Sequence, residues 1–126
     1  MQIILTPQES EDFFLNALCN GLSYFDGYGL ELTYNQDAYK KAKQTLRQGV
    51  AWEYILMQIL RQGDVLTIID HECDGEYTRD ITLYMVHNRV CNAPMRHLID
   101  MHNEEDDAET ADAILQTVAF NEIIFG

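Results

Sequence analysis

Apolar residues fall along this chain in short stretches whose period changes repeatedly, and each change marks an element. Gln2 to Leu5 is short and apolar enough for a strand. It leads into Thr6-Pro7-Gln8-Glu9, where Thr as N-cap, Pro at the first helical position and Glu at the third predict a capping box. Phe13, Phe14, Ala17 and Leu18 follow at helical spacing, and Asn20-Gly21 offers a left-handed stop, so a helix is expected over about residues 7–19. Asp26-Gly27-Tyr28-Gly29 reads as a turn, after which Leu30, Leu32 and Tyr34 alternate with Glu31 and Thr33 as in a half-buried strand. Asn35 is placed to cap a helix with Ala38, Tyr39, Ala42 and Leu46 on one face and Lys40, Lys41, Lys43 and Arg47 on the other, ending at Gly49.

From Val50 to Gln62 the pattern is apolar almost all round, with Trp52, Tyr54, Ile55, Leu56, Met57, Ile59 and Leu60 leaving a thin polar stripe. That predicts a helix at the centre of the core. Gly63 stops it, and Val65 to Ile69 is a β-branched run suited to a strand. Asp74-Gly75 is a two-residue hairpin signal, with the return through Tyr77 to Leu83. Thr82 is positioned to cap a short helix holding Leu83, Val86 and Val90, and Pro94 opens another with Met95, Leu98 and Ile99 inward. Ala108, Ala111, Ile114, Leu115 and Val118 repeat at helical spacing, with acids at the helix start where the macrodipole favours them. The tail Glu122 to Gly126 suits a second end strand, beside Gln2 to Leu5.

These elements describe one α+β domain over residues 1–126: helices around the segment 50–62 and a small antiparallel sheet containing the 65–82 hairpin. The chain's 126 residues, 47% of them hydrophobic, suffice for a single core. The order of elements across residues 7–83 is also that of a winged-helix domain. A DNA-reading version carries a polar, basic third helix, whereas the third here is Trp52 to Leu60, so direct nucleic-acid binding is not expected.

Charge sharpens that exclusion. Against 21 acids stand 8 bases, all between Lys40 and Arg96, and the net charge is −13. Both ends of the chain are purely acidic, a field that repels nucleic acid and anionic membrane and favours basic partners. The start MQIILTPQES lacks the basic n-region of a secretory signal, and no apolar run approaches the ~20 residues of a membrane span, so a soluble, cytoplasmic protein is expected. Cys19, Cys73 and Cys91, without CxxC spacing, suit free thiols in a reducing compartment.

Among motifs with chemical content, Asp70, Glu72 and Asp74 with Gly75 place oxygens at positions 1, 3 and 5 and glycine at 6 of a calcium-type loop. Position 12, which should be a bidentate Glu, is Ile81. A divalent-metal domain built on this loop is therefore one alternative, and a plain hairpin the simpler expectation. His71, Glu72 and Cys73 are consecutive and would point to opposite faces of a strand; His97 and His102 do not share a helical face, and His87 stands alone. The cysteines sit among apolar or acidic neighbours, unlike activated thiols. There is no GxSxG, phosphate-binding glycine loop or dinucleotide fingerprint. The expectation is a non-catalytic protein without a cofactor, acting as an accessory or interaction module. Its candidate contact residues are Glu104, Glu105, Asp106 and Asp107, which would meet a basic partner. Mimicry of DNA phosphates to inhibit a DNA-binding protein is a further alternative, and the apolar C-terminal segment offers a route to self-association.

The segments Leu66 to Leu83 (LTIIDHECDGEYTRDITL) and Ala108 to Val118 (AETADAILQTV) resemble small acidic proteins of unknown function encoded by gut bacteria and their mobile elements. The resemblance implies a bacterial cytoplasmic setting and brings with it no activity, cofactor or site residue.

Overall fold

A computed structural model describes residues 3–126. In chain order the elements are α1 (Pro7–Asn20), α2 (Leu22–Gly27), β1 (Leu30–Tyr34), α3 (Gln36–Thr45), α4 (Trp52–Arg61), β2 (Leu66–Asp70), β3 (Arg79–Ile81), α5 (Leu83–Arg89), a 3-10 turn (Val90–Asn92), α6 (Met95–His102) and α7 (Ala108–Phe120). This is a helix-rich α+β domain with one three-stranded antiparallel sheet in the order β1-β2-β3. The element order noted above for winged-helix domains is present from α1 to β3, with α2 as an added turn of helix.

Local chemistry sets most of the boundaries. The Thr6 hydroxyl accepts from the Glu9 amide at 3.1 Å while the Glu9 carboxylate accepts from the Thr6 amide at 3.0 Å, so the capping box closes at both donors. Asn35 caps α3 through the Ala38 amide (3.0 Å) and Thr82 caps α5 through the Met85 amide (3.3 Å). In the sheet, Leu30 to Tyr34 pair with Asp70 to Leu66, and Leu66 faces Ile81. Leu66, Ile68 and Asp70 are buried on one face of β2, the period-2 pattern of a half-covered sheet.

The core does not centre on α4. Every residue of α7 from Thr110 to Ala119 is buried, including the polar Asp112, Gln116 and Thr117, and its main helical neighbour is α1. In α4, Ile55, Leu56, Met57, Ile59 and Leu60 are buried, but Trp52 is only partly covered and Tyr54 is half exposed. Aromatic bulk gave α4 its apolar appearance, whereas the small side chains of α7 let neighbours close around the whole helix. Gly21 shows how tightly: its φ is −106°, so it is no left-handed stop, and a Cβ there would lie 2.9 Å from the Ala111 backbone carbon. Glycine at this position lets the α1–α2 corner rest on the α7 backbone.

Other expectations also change. Gln2 lies outside the described residues, while Ile3 to Leu5 and Glu122 to Gly126 form no strands. The tail's backbone is claimed by one side chain: Gln116 Oε1 accepts from the amides of Ile124 and Phe125, both at 2.9 Å, and Gln116 Nε2 donates to the Phe125 carbonyl at 3.1 Å. Asp74 and Gly75 do turn with positive φ (54° and 79°), closed by the Glu76 amide donating to the Cys73 carbonyl at 3.0 Å. Yet the strands resume only at Arg79, so the hairpin loop is longer than two residues. In α6, Leu98 points inward, but Met95 and Ile99 are 40% and 46% exposed.

Candidate functional site

The acidic run anticipated as a contact surface divides by role. Asp107 is the N-cap of α7, its Oδ1 accepting from the Thr110 amide at 2.9 Å, and that bond holds its carboxyl below the usual aspartate range. Glu104 takes a left-handed conformation (φ 57°) in the turn leaving α6, and its amide donates to the Met101 carbonyl at 3.2 Å. Glu104 and Glu105 are exposed and Asp106 is half-buried.

The side chain of Glu104 borders a trough between α1 and α6. Its upper part is a cavity of about 290 Å³ lined mainly by Ile3, Ile4, Leu5, Phe13, Leu98 and Ile99, with Glu9 and His102 at its edge. A second cavity of about 350 Å³ shares Phe13 and His102 with the first and adds Tyr54, Asp12 and Glu104. The two cavities share the Phe13 and His102 walls, and together they are called the trough. Ile4 is 87% exposed and Tyr54 50%, so with Ile99 three large apolar side chains at this trough face solvent. Glu9, Asp12 and Glu104 supply negative charge around it. The Thr6 amide holds the Glu9 carboxyl below its usual range, which keeps that charge in place well into mild acid.

The calcium-type loop uses its first carboxylate for itself. Asp70 Oδ1 accepts from the amides of Glu72 (3.0 Å) and Cys73 (2.9 Å), and Oδ2 from the Tyr77 amide (3.1 Å). The Cys73 bond leads the forces that depress the Asp70 pKa. Glu72 instead lies against Gly29, where a Cβ would meet its Cγ at 2.4 Å. His71 reaches across to Glu31, 2.9 Å away. Asp70, Glu72 and Asp74 are thus not brought together, and among the described residues no three His, Cys, Asp or Glu side chains are grouped to hold a metal ion. Cys19 and Cys73 have thiol pKa values raised first by burial and then by neighbouring acids, the opposite of an activated nucleophile.

Two arrangements escaped the sequence. Glu11, on the buried side of α1, takes Arg61 Nε of α4 on Oε1 at 2.7 Å and His87 Nε2 of α5 on Oε2 at 2.8 Å, joining three helices. The other surrounds Asp112 in α7. Tyr28 Oη donates to Asp112 Oδ2 at 2.8 Å, and Gln116 Nε2 donates to the same oxygen at 3.0 Å. Burial raises the Asp112 carboxyl above its usual range despite those two bonds, and burial followed by the Asp112 hydrogen bond pushes Tyr28 up to about 12. A signal for Asp112 was present, because it is an acid inside a helix that is otherwise apolar from Ala111 to Ala119 apart from Gln116 and Thr117.

Among the described residues no helix is long and apolar enough to cross a membrane. No family model, no curated protein and no solved structure matches this chain.

Proposed function

We propose that this protein is a non-catalytic interaction module whose α1–α6 trough receives a basic, amphipathic helix of a partner protein. The observation that carries this reading is the exposed apolar set Ile4, Ile99 and Tyr54 around a trough floored by Phe13 and Leu98. Exposed apolar surface rimmed by polar groups is costly in water unless another surface covers it. A helix laid in a groove offers apolar anchors at one face and charges at its flanks. Glu9, Asp12 and Glu104 are the complements for Lys and Arg at those flanks, and a net charge of −13 steers such a partner inward.

A synthetic helix with Leu on one face and Lys on the other is the test, titrated into isotopically labelled protein while amide shifts are followed. Shifts should concentrate in α1 and α6, and affinity should fall by roughly tenfold between low and moderate salt. Ile99→Ser should weaken binding by about tenfold, the value of one buried aliphatic side chain. Unchanged affinity for that variant, or shifts scattered over the acidic surface, would count against the trough.

A further inference from the structure

We propose that the free edge of β1 accepts an extended segment of a partner protein as a fourth, antiparallel strand, and that this segment alternates apolar and basic residues. β1 lies at one end of the β1-β2-β3 sheet. Its register with β2 places Gly29, Glu31 and Thr33 at the hydrogen-bonded positions, as the His71 amide donating to the Gly29 carbonyl at 2.9 Å shows. Leu30, Leu32 and Tyr34 therefore turn their N–H and C=O groups away from β2. Leu30 is 2% exposed, but Leu32 and Tyr34 are partly open, and among the described residues no hydrogen bond claims their backbone groups.

A depression of about 270 Å³ borders this edge. Leu30, Glu31 and Leu32 all line it, although successive strand residues point to opposite faces, so it opens on the edge of the strand and not on one face. Leu22 and Trp52, both partly exposed, stand beside it, and Trp52 Nε1 donates to Tyr34 Oη at 3.3 Å, which fixes the indole on the face that carries Leu32 and Tyr34. Asp26 and Glu31 bring negative charge to the same lining, and both are exposed. Glu31 meets His71 through one oxygen at 2.9 Å yet keeps 57% of its side chain in water. The occupant follows from this lining: apolar side chains on the face of Leu32 and Trp52, and Lys or Arg on the face of Glu31.

An open edge is a template for strand addition, and proteins blunt one with Lys, Pro, a bulge, a very short strand or a covering element. The β3 edge is three residues long and packs on α7. β1, Leu-Glu-Leu-Thr-Tyr, has five residues in unbroken register, with neither Lys nor Pro. A second copy of β1 fits the backbone but not the charge. Antiparallel pairing about Leu32 sets the two Glu31 side chains diagonally across from each other, and each copy carries a net charge of −13. The depression shares no lining residue with the α1–α6 trough, so the edge is a separate docking surface.

The probe is a capped peptide of about eight alternating Val and Lys residues, titrated into labelled protein at low salt. Saturable amide shifts at Leu32 and Tyr34 are expected, and hydrogen exchange of those two amides should slow about tenfold when the peptide stands at ten times its Kd. In an antiparallel pair the residue opposite Leu32 shares its face and exchanges both bonds with it, so Val presents its N–H to β1 and Lys does not. Methylating every Val amide nitrogen should abolish binding, and methylating every Lys amide nitrogen should leave it in place. Glu31→Lys should weaken the unmethylated peptide by about fivefold. Methylation alters the peptide alone, so its outcome stands whatever the variant does to folding. Shifts confined to α1 and α6, binding that survives Val methylation, or loss with both methylated peptides overturns the added strand. Shifts at Leu32 and Tyr34 that grow with protein concentration alone, accompanied by dimers in sedimentation, give the edge to a second copy and overturn it as well.

Discussion

Glu11 holds two bases from two other helices on one carboxylate, which makes it the residue where stability should depend most plainly on protonation. Burial alone raises its pKa, but the hydrogen bonds from His87 and Arg61 outweigh burial, and the net value lies below that of an ordinary glutamate. A depressed folded pKa means the stabilisation is complete above the unfolded-state value of about 4.3 and is lost as pH falls through the folded value. Glu11→Gln should therefore cost about 1–3 kcal/mol at neutral pH, with Arg61 partly exposed and so screened. The gap between variant and wild type should close in acid. Urea unfolding at pH 7 and in acid measures both, and a gap that is independent of pH would mean that the bonds act by shape alone. None of this was legible in the sequence, because Arg61 and His87 lie 50 and 76 residues from Glu11. The caps at Thr6, Asn35 and Thr82 were legible for the complementary reason: donor and acceptor are three residues apart.

For whole elements, the same division between local and remote causes decides what periodicity can tell. Strand alternation at Leu30 to Tyr34 and helical spacing at Phe13 to Leu18 depend on neighbours along the chain, and both elements formed where expected. Which helix occupies the centre depends on how closely others approach it. That is a matter of small residues such as Gly21 and Ala111 rather than of hydrophobic totals. The end strands failed for a related reason, since Gln116 satisfies the amides of Ile124 and Phe125 before any ladder can. The Asp74-Gly75 turn was readable, but the hold of Asp70 on the Glu72, Cys73 and Tyr77 amides was not. If α7 is the central element, Ile114→Ala should cost about 2–5 kcal/mol, the range for a large-to-small change in a sealed core. Tyr54→Ala on α4 should cost less than about 1 kcal/mol, because half of that side chain is already in water. Thermal or urea denaturation of the two variants ranks the helices, and the reverse order would restore α4 to the centre. Gly21→Ala belongs to the same comparison. Its Cβ would press on the α7 backbone, and overpacking of that kind costs about 1–3 kcal/mol.

Across the whole molecule the lopsided charge acts on folding and on docking with opposite signs. The purely acidic ends are brought together by the packing of α1 on α7, not by paired end strands, while Glu9 and Asp12 of α1 and Glu104 of the turn after α6 border the trough. Of 21 acids, Glu11, Glu31 and Glu109 are the ones with a basic partner within salt-bridge distance among the described residues. Self-repulsion among the rest opposes the compact state, and at an ionic strength near 0.15 M the screening length is about 8 Å, short enough to mute repulsion between acids on different elements. Added salt should therefore raise the melting temperature of the free protein. The same screening removes the steering and pairing that bring a basic helix to the trough, so salt should weaken binding of the Leu/Lys helix while the protein that binds it grows more stable. Measuring both over one salt series separates the two effects: melting by the near-ultraviolet signal of Trp52, docking by the shifts in α1 and α6. A melting temperature that falls with salt would mean that the Glu11 and Glu31 pairs outweigh the repulsion. Docking that survives salt unchanged would leave only the apolar contacts at Ile4, Ile99 and Tyr54 to hold the partner, and the acids around the trough would then serve solubility alone.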